Sequence, residues 1–175
     1  MSERTITQIC EDYLDHPELL KGCNLFVQAV CAELGYGPVF AKGDNADAMI
    51  EKFSKKPFQL IGTDKDKATA LANGGQLVLA GLSKAGMTYT NKQGVSIQAS
   101  MGHVVVVVPG GPSLPTTIKL ADGSQQSCRG GYPLCYGGAA VPKYRIKARL
   151  SIDSVFHWKV LKDVIYAYLA VPKHG

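Results

Sequence analysis

The chain has 175 residues, of which 46% are hydrophobic, and a formal net charge of +5. This length can bury the core of one domain, so we expect a single globular domain over residues 1–175 and not a disordered chain. No run approaches the roughly 18 to 20 apolar residues of a membrane span, and the N-terminus lacks a basic start followed by an apolar block. We therefore expect no membrane insertion and no Sec-type signal peptide. Because the basic residues are scattered without a recognition motif, we also expect no nucleic-acid partner.

The N-terminal third of the chain is predicted to be helical. Apolar residues recur at helical spacing over 3–14, with Ser2 as a candidate N-cap, and His16-Pro17 ends this helix. A third helix is predicted to begin after Gly43-Asp44-Asn45. The strongest periodicity lies between these two, at 23–34, where one buried stripe consists of Cys23, Phe26, Val27, Val30, Cys31 and Leu34.

The rest of the chain is predicted to consist mostly of strands. Five consecutive valines at 104–108 indicate a strand buried on both faces, because β-branched side chains crowd a helix. Helices first and strands later predict an α+β fold, with N-terminal helices packed on one antiparallel β-sheet. We expect further strands at 58–61, 76–82, 144–152 and 164–171, a short helix at 64–73, a loop or hairpin at 83–100 and a long substrate-facing flap at 109–138.

Cys23 is the first candidate for chemistry, because it lies in the first turn of the most periodic helix. Unpaired backbone N–H groups and the helix dipole at that end favour a thiolate, which is the nucleophilic form of cysteine. Cysteine is also among the most buried residue types, and Cys31 on the same stripe is interpreted as structural. Position alone favours a structural Cys23, so a second feature is needed.

His103 supplies the second feature. It directly precedes the valine strand, where a ring can face a cleft while the valines hold the backbone. A cysteine at a helix start facing a histidine at a strand start is the arrangement of a Cys–His acyl-transfer pair, with the histidine as general base. The alternative is a hydrogen-bonded histidine at a sheet edge.

The sequence gives weaker predictions for the remaining candidate residues. The five cysteines lack the close paired spacing of a zinc site, and a Cys128–Cys135 disulfide stays open. No chemistry is expected from His16, His157 and His174. Trp158 is interpreted as a packing anchor, with a cleft wall as the alternative, and nothing in the sequence brings Asp122 or Asp153 to His103.

Cys23 and His103 together give the chain a resemblance to NlpC-type, papain-like cysteine peptidases that cut bacterial cell-wall peptides. It resembles most closely the amidase effectors of type VI secretion. The matching stretches keep the family's order and relative spacing, apart from loop insertions: 22–35 (GCNLFVQAVCAELG), 43–49 (GDNADAM), 81–82 (GL), 102–107 (GHVVVV) and 132–138 (YPLCYGG).

The resemblance implies an NlpC-type fold and a peptidoglycan amidase that hydrolyses an amide bond next to meso-diaminopimelate in the stem or cross-link. It implies Cys23 as nucleophile, His103 as general base and no cofactor or metal. It also implies a cognate immunity protein and a secretion apparatus as partners. Such a protein is made in the cytoplasm and acts in the periplasm of a recipient cell.

One departure from the family concerns the residue that orients the histidine. In our alignment a family member has a cysteine where this chain has Gly137, so Cys135 or a backbone carbonyl are the remaining candidates. The Cys23 backbone N–H is the expected oxyanion donor. Two alternative functions stay open: a phage or housekeeping wall hydrolase with the same pair, and a non-catalytic wall- or partner-binding protein of the same fold. The sequence leaves the bond that is cut undecided.

Overall fold

The fold is centred on a six-stranded antiparallel sheet. The structure, a computed structural model, describes residues 4–170. The strands of this sheet are β1 (Gln59–Gly62), β2 (Leu77–Leu82), β5 (His103–Val108), β8 (Leu134–Tyr136), β9 (Leu150–Ser151) and β10 (Ile165–Leu169). Their order is β1-β10-β2-β5-β8-β9, which puts β2 and β5 in the middle. Two hairpins lie outside the sheet: β3 (Tyr89–Thr90) with β4 (Ser96–Ile97), and β6 (Thr116–Lys119) with β7 (Gln125–Cys128).

Six α-helices accompany the sheet in the described part of the chain: α1 (Ile6–Tyr13), α2 (Pro17–Leu20), α3 (Cys23–Glu33), α4 (Ala46–Glu51), α5 (Lys65–Asn73) and α6 (Ile152–Val155). The buried side chains of α1 to α4 share one cluster with Val104, Val106 and Val108 of β5. Those of α5 and α6 share a second cluster with Val105 and Val107. The sheet therefore lies between two helical layers. None of the helices within residues 4–170 has the length and apolar character needed to cross a membrane.

The valine strand and the helix with Cys23 form as predicted. Both elements are specified by local signals, namely β-branched residues in succession and apolar residues at helical period. All five valines of β5 are at most 1% exposed. Gly22 is the N-cap of α3 in extended conformation, and Gly35 after it has φ 79°, a left-handed turn that suits glycine. The α+β class with an antiparallel sheet is confirmed.

The first helix begins later than predicted. Thr5 is its N-cap, and its side chain accepts a hydrogen bond from the Gln8 backbone N–H while the Gln8 side chain accepts from the Thr5 N–H. This reciprocal capping box satisfies two donors at the helix start. The predicted cap, Ser2, lies outside the described residues. Thr5 therefore replaces it as the start signal.

The prediction of one long flap at 109–138 is wrong. This segment contains the hairpin β6–β7 and the sheet strand β8, which pairs with β5 through Val106–Tyr136 and Val108–Leu134. β8 has only three residues, so alternation along the sequence is too short to detect. Its position comes from pairing with β5. The loop or hairpin expected at 83–100 does contain a short hairpin, β3–β4.

The strand predicted at 144–152 is also wrong for most of its length. A short 3-10 helix covers Pro142–Tyr144, and only Leu150–Ser151 joins the sheet. Arg145 instead hydrogen-bonds the carbonyl oxygens of Ala139 and Ala140, which holds the intervening chain in an irregular path. The last predicted strand is present as β10, and its expected final residue, Val171, lies outside the described residues.

Candidate active site

Cys23 is held at the start of α3 by the main chain around it. Three backbone N–H groups near its Sγ, those of Cys23, Asn24 and Val104, stabilise the thiolate form. The first two are free donors of the first helical turn, and the third belongs to β5. The Asn24 side chain donates to the Asp44 carbonyl oxygen at 3.0 Å and ties the helix start to the loop before α4. The sulfur is therefore fixed against the sheet.

The thiol of Cys23 is harder to ionise than its position on the helix predicts. Cys23 is only 6% exposed, and this burial raises the pKa of its thiol above the ordinary value of 9.0. The three N–H groups act in the opposite direction, because they stabilise the thiolate, but burial is the largest cause. The expectation that the helix start eases ionisation is thus overturned. At neutral pH the group is a protonated thiol.

His103 is the first residue of β5 and is half-buried. Its ring packs edge-to-face against the ring of Phe156, with 5.5 Å between centroids. Burial lowers the pKa of the imidazole from 6.5 to about 4, because the charged form loses solvation. No hydrogen bond to its ring occurs within the described part of the chain. A neutral, unpaired imidazole can accept a proton.

The structure brings Cys23 and His103 to neighbouring points of the backbone but does not pair their side chains. Sγ lies beside the Val104 N–H, one residue along from His103. Side chains alternate along a strand, however, and Val104 faces the α3 layer while the His103 ring contacts Phe156 of the opposite layer. Within residues 4–170 no hydrogen bond joins Sγ to the imidazole. Catalytic hydrogen bonds often tighten only in the substrate complex.

The other side of the Cys23 site is formed by the chain that follows β8. After Tyr136 this chain leaves β5 and runs against the segment before Cys23, where the Ala139 N–H donates to the Leu20 carbonyl oxygen at 2.9 Å. A Cβ at Gly138 would lie 2.7 Å from the carbonyl oxygens of Leu19 and Gly22, so this position has no space for a side chain. Glycine is needed here because two backbone segments meet. Sequence analysis included Gly138 in a motif without finding this role.

No side chain in the described residues forms a hydrogen bond with the His103 ring. A Cβ at Gly137 would lie 3.0 Å from Val105 Cγ1, on the face of β5 that also carries His103, so a side chain there would have the right direction. Cys135 pairs with Val107, four residues from His103, which is about 13 Å along a strand. Cys135 is therefore too distant for this role.

The two aspartates considered from the sequence have other partners. The Asp153 carboxylate accepts hydrogen bonds from the Gly130 N–H and the Ser151 hydroxyl. Asp122 lies in the β6–β7 turn and accepts from Ser124. Neither contacts the His103 ring. A group supplied by the substrate or a backbone carbonyl remains for this role.

Asp47 supports the start of β5 and was not found by sequence reasoning. Its Oδ1 accepts a hydrogen bond of 2.7 Å from the Lys84 N–H, after β2, and lies 2.3 Å from the place a Cβ on Gly102 would occupy. Glycine at 102 thus allows the carboxylate to sit against the strand beside His103. The only sequence signal was the shared motif 43–49, which gives no reason for this contact.

The other cysteines and histidines fall into structural or surface positions. All five cysteines are free thiols, so the Cys128–Cys135 bridge is not formed. Among the described residues no group of three or more His, Cys, Asp or Glu side chains is arranged to hold a metal ion. Cys31 is 1% exposed, as expected for a structural residue. His16 lies in the turn after α1, and His174 lies outside the described residues.

Trp158 is not the packing anchor that we predicted. Its side chain is 58% exposed and lines an open cleft together with Tyr89 and Tyr132. The alternative, a wall of the cleft at Cys23 and His103, is not tested, because the lining of this open cleft includes neither residue. His157 also contacts this surface, where its ring stacks on Tyr89.

Comparison with models of known protein families gives no match, and comparison with curated proteins gives no significant match.

Proposed function

We propose that the chain is a cysteine-dependent peptidoglycan amidase of the NlpC-type, papain-like class, and an antibacterial effector delivered by type VI secretion. The observation that carries the proposal is the position of Cys23. A thiol at a helix start, near three backbone N–H groups of which one belongs to the residue after His103, supports a nucleophilic role for Cys23. The shared motifs of the sequence support the substrate class.

In the proposed mechanism the neutral imidazole of His103 removes the thiol proton as Sγ attacks the amide carbonyl carbon. The Cys23 backbone N–H donates to the oxyanion that develops on that carbonyl. His103 then returns its proton to the leaving amine, and an acyl-enzyme remains on Sγ. Water, deprotonated by the same imidazole, hydrolyses the thioester and restores the thiol. The imidazole must turn from Phe156 towards Sγ for the first step.

The proposed effector acts on stem peptides or cross-links beside meso-diaminopimelate, in the periplasm of a rival cell. Its proposed partners are a cognate immunity protein and the secretion apparatus. A phage or housekeeping wall hydrolase would use the same chemistry. Identifying the bond that is cut does not distinguish such an enzyme from the proposed effector. Mass spectrometry of digested muropeptides identifies that bond.

A non-catalytic binding protein is the second candidate, and one observation favours it. The His103 ring lacks a hydrogen-bonding partner in the described residues, and Gly137 has no side chain to orient it. A protein that kept the fold and lost the reaction would show this combination. The two candidates make opposite predictions for digestion of the cell wall.

The deciding experiment incubates purified murein sacculi with the wild-type protein, Cys23→Ser and His103→Gln. Cys128→Ser is the matched control, because it removes a buried thiol in the β6–β7 hairpin. We expect the wild type and the control to release stem-peptide fragments, and the two site variants to lose at least about 100-fold of that rate. Thermal melts verify folding. Equal digestion by all four proteins, or none by the wild type, would contradict the amidase proposal.

A further inference from the structure

An open cleft with an aromatic floor lies on the same side of the sheet as the His103 ring. Its volume is about 650 Å³, within the range of roughly 300–1,000 Å³ that ligand sites occupy. We call it the Trp158 cleft; its lining includes Thr88, Tyr89, Tyr132, Trp158, Lys159 and Lys162. Trp158 is exposed within this cleft and lies beside two tyrosines of the lining.

The rings beside the cleft form an ordered platform. The Tyr89 and His157 rings stack with centroids 4.0 Å apart and planes 7° from parallel, and the Trp158 ring follows at 5.7 Å from His157. The Lys159 ammonium lies 5.7 Å from the Tyr89 ring centroid and 5.4 Å from that of Trp158, and it donates to the Thr90 carbonyl oxygen. These contacts hold the rings in place before any ligand arrives, which reduces the entropy lost on binding.

The Trp158 cleft is connected to the candidate active site by three consecutive residues. Phe156 contacts the His103 ring, and His157 and Trp158 follow it directly in the chain. Tyr89 and Phe156 also belong to the same apolar cluster as Val105, on the face of the sheet to which His103 points. The cleft and the His103 ring therefore share one face of the sheet.

The chemistry of the lining favours a neutral ligand with many hydroxyl groups. The aromatic faces offer apolar contact, and hydroxyl, ammonium and carboxylate groups of Thr88, Lys162 and Asp163 surround them as hydrogen-bonding partners. A polyanion fits less well, because Asp163 offsets one of the two lysines of the lining and Lys159 is already engaged with two rings and a carbonyl. A sugar ring matches both requirements, since its C–H face packs on an aromatic ring while its hydroxyls face polar groups.

We propose that the Trp158 cleft binds an N-acetylated sugar of the peptidoglycan glycan strand, on the face of the sheet opposite to the layer that contains Cys23. This inference depends on the proposed function for the identity of the polymer. It assigns Trp158 and Tyr89 as the binding platform and Lys159 as the residue that holds them. The enzyme would then recognise the strand as well as the peptide.

The first test measures sugar binding without catalysis. The probe is the β-1,4-linked trimer of N-acetylglucosamine, titrated into the Cys23→Ser protein. Trp158 is the only tryptophan of the chain, so intrinsic fluorescence reports this cleft directly. We expect a saturable change in the emission of Trp158. A flat titration up to millimolar concentration would overturn the proposal and would leave contact with a protein partner as the use of this surface.

The second test compares variants by calorimetry. Trp158→Ala and Tyr89→Ala should each weaken binding of the trimer by about tenfold or more, since stacking on the ring is lost. Lys159→Ala keeps the tryptophan and should weaken binding less. Tyr144→Ala is the matched control, because Tyr144 is an exposed aromatic ring, 44% accessible, with the Lys143 ammonium 5.0 Å from its centroid. Equal affinity in Trp158→Ala and wild type would contradict the assignment.

The third test separates this proposal from the proposed activity. The ratio of kcat/KM for a disaccharide-linked stem peptide to that for the sugar-free peptide should fall about tenfold in Trp158→Ala and stay unchanged in Tyr144→Ala. If the wild type digests no wall but still binds the trimer through Trp158, the amidase proposal fails and the sugar site stands. If digestion needs Cys23 while Trp158→Ala changes neither binding nor the ratio, the sugar site fails and the amidase stands.

Discussion

The wild-type protein should lose stability at mildly acidic pH because of His103, and replacing His103 with glutamine should abolish this loss. Burial of the ring lowers the pKa of the folded imidazole from 6.5 to about 4. The unfolded chain therefore binds the proton more tightly than the folded one, and the free energy of unfolding falls as pH drops from above 6.5 towards 4. The contribution of the neutral His103 ring to the free energy of unfolding is fully present above pH 6.5 and lost near pH 4. Glutamine does not titrate, so the variant lacks it.

The size of the effect follows from the two pKa values. Between pH 7.5 and 4.5 a pKa difference of this size changes the free energy of unfolding by at most about 2.5 kcal/mol. Because the ring is half-buried, solvent reduces this figure, and we expect about 1 to 2 kcal/mol. The quantity to compare is the change with pH, since glutamine also alters the stability at pH 7.5.

Urea denaturation of both proteins at half-unit steps from pH 4.5 to 7.5 measures this change, because the other titrating groups are common to both. His16→Gln, in the turn after α1, controls for the removal of an exposed histidine. A parallel curve for wild type and His103→Gln would refute a buried, neutral imidazole. A reversed difference, with His103 stabilising at low pH, would indicate an imidazolium paired with a Cys23 thiolate.

Two further predictions concern Cys23 and its surroundings. Gly138→Ala forces a Cβ against the carbonyl oxygens before Cys23, so it should lower the free energy of unfolding by about 2 to 3 kcal/mol and Tm by about 5 to 10 °C. Wall digestion should be lost as well. The control is Gly43→Ala, whose Cβ meets no atom within 4 Å and which should change Tm by less than about 2 °C. Equal melts would contradict the close backbone contact. Iodoacetamide should label Cys23 faster than Cys31, whose thiol has a pKa of about 12, and the Cys23 rate should rise steadily with pH to at least 9. A Cys23 rate that is constant between pH 6 and 8 would contradict the protonated thiol.

The elements predicted from the sequence are those whose signals are local. The apolar stripe of α3 and the valines of β5 specify their own secondary structure, and Asp64 caps α5 where a helix start was expected. Strand β8 has three residues and depends on pairing with β5, so its own residues do not predict a strand. Local patterns thus predict long elements, and tertiary pairing decides the short ones.

The candidate site divides in the same way. Helix and strand positions were enough to select Cys23 and His103, because each begins a strongly patterned element. The direction of the Cys23 pKa was mispredicted, since burial by residues distant in sequence outweighs the nearby N–H groups. The direction of the His103 ring depends on strand alternation and on Phe156, over fifty positions later in the chain. Such contacts exist only in the folded chain.

The early end of β8 bears on the difference between the two members of the candidate pair. Cys23 has main-chain donors near its sulfur, whereas the His103 ring has no hydrogen-bonding partner within the described residues. The last residue of β8, Tyr136, pairs with Val106, so Val104 lies two residues beyond this ladder and its N–H reaches Sγ of Cys23. The sulfur thereby lies near main-chain donors of both α3 and β5. The imidazole packs on Phe156, which His157 and Trp158 follow directly in the chain. If both proposals hold, assembly of the pair depends on movement of His103, and a Phe156→Leu variant, which loosens the ring, should alter kcat more than KM.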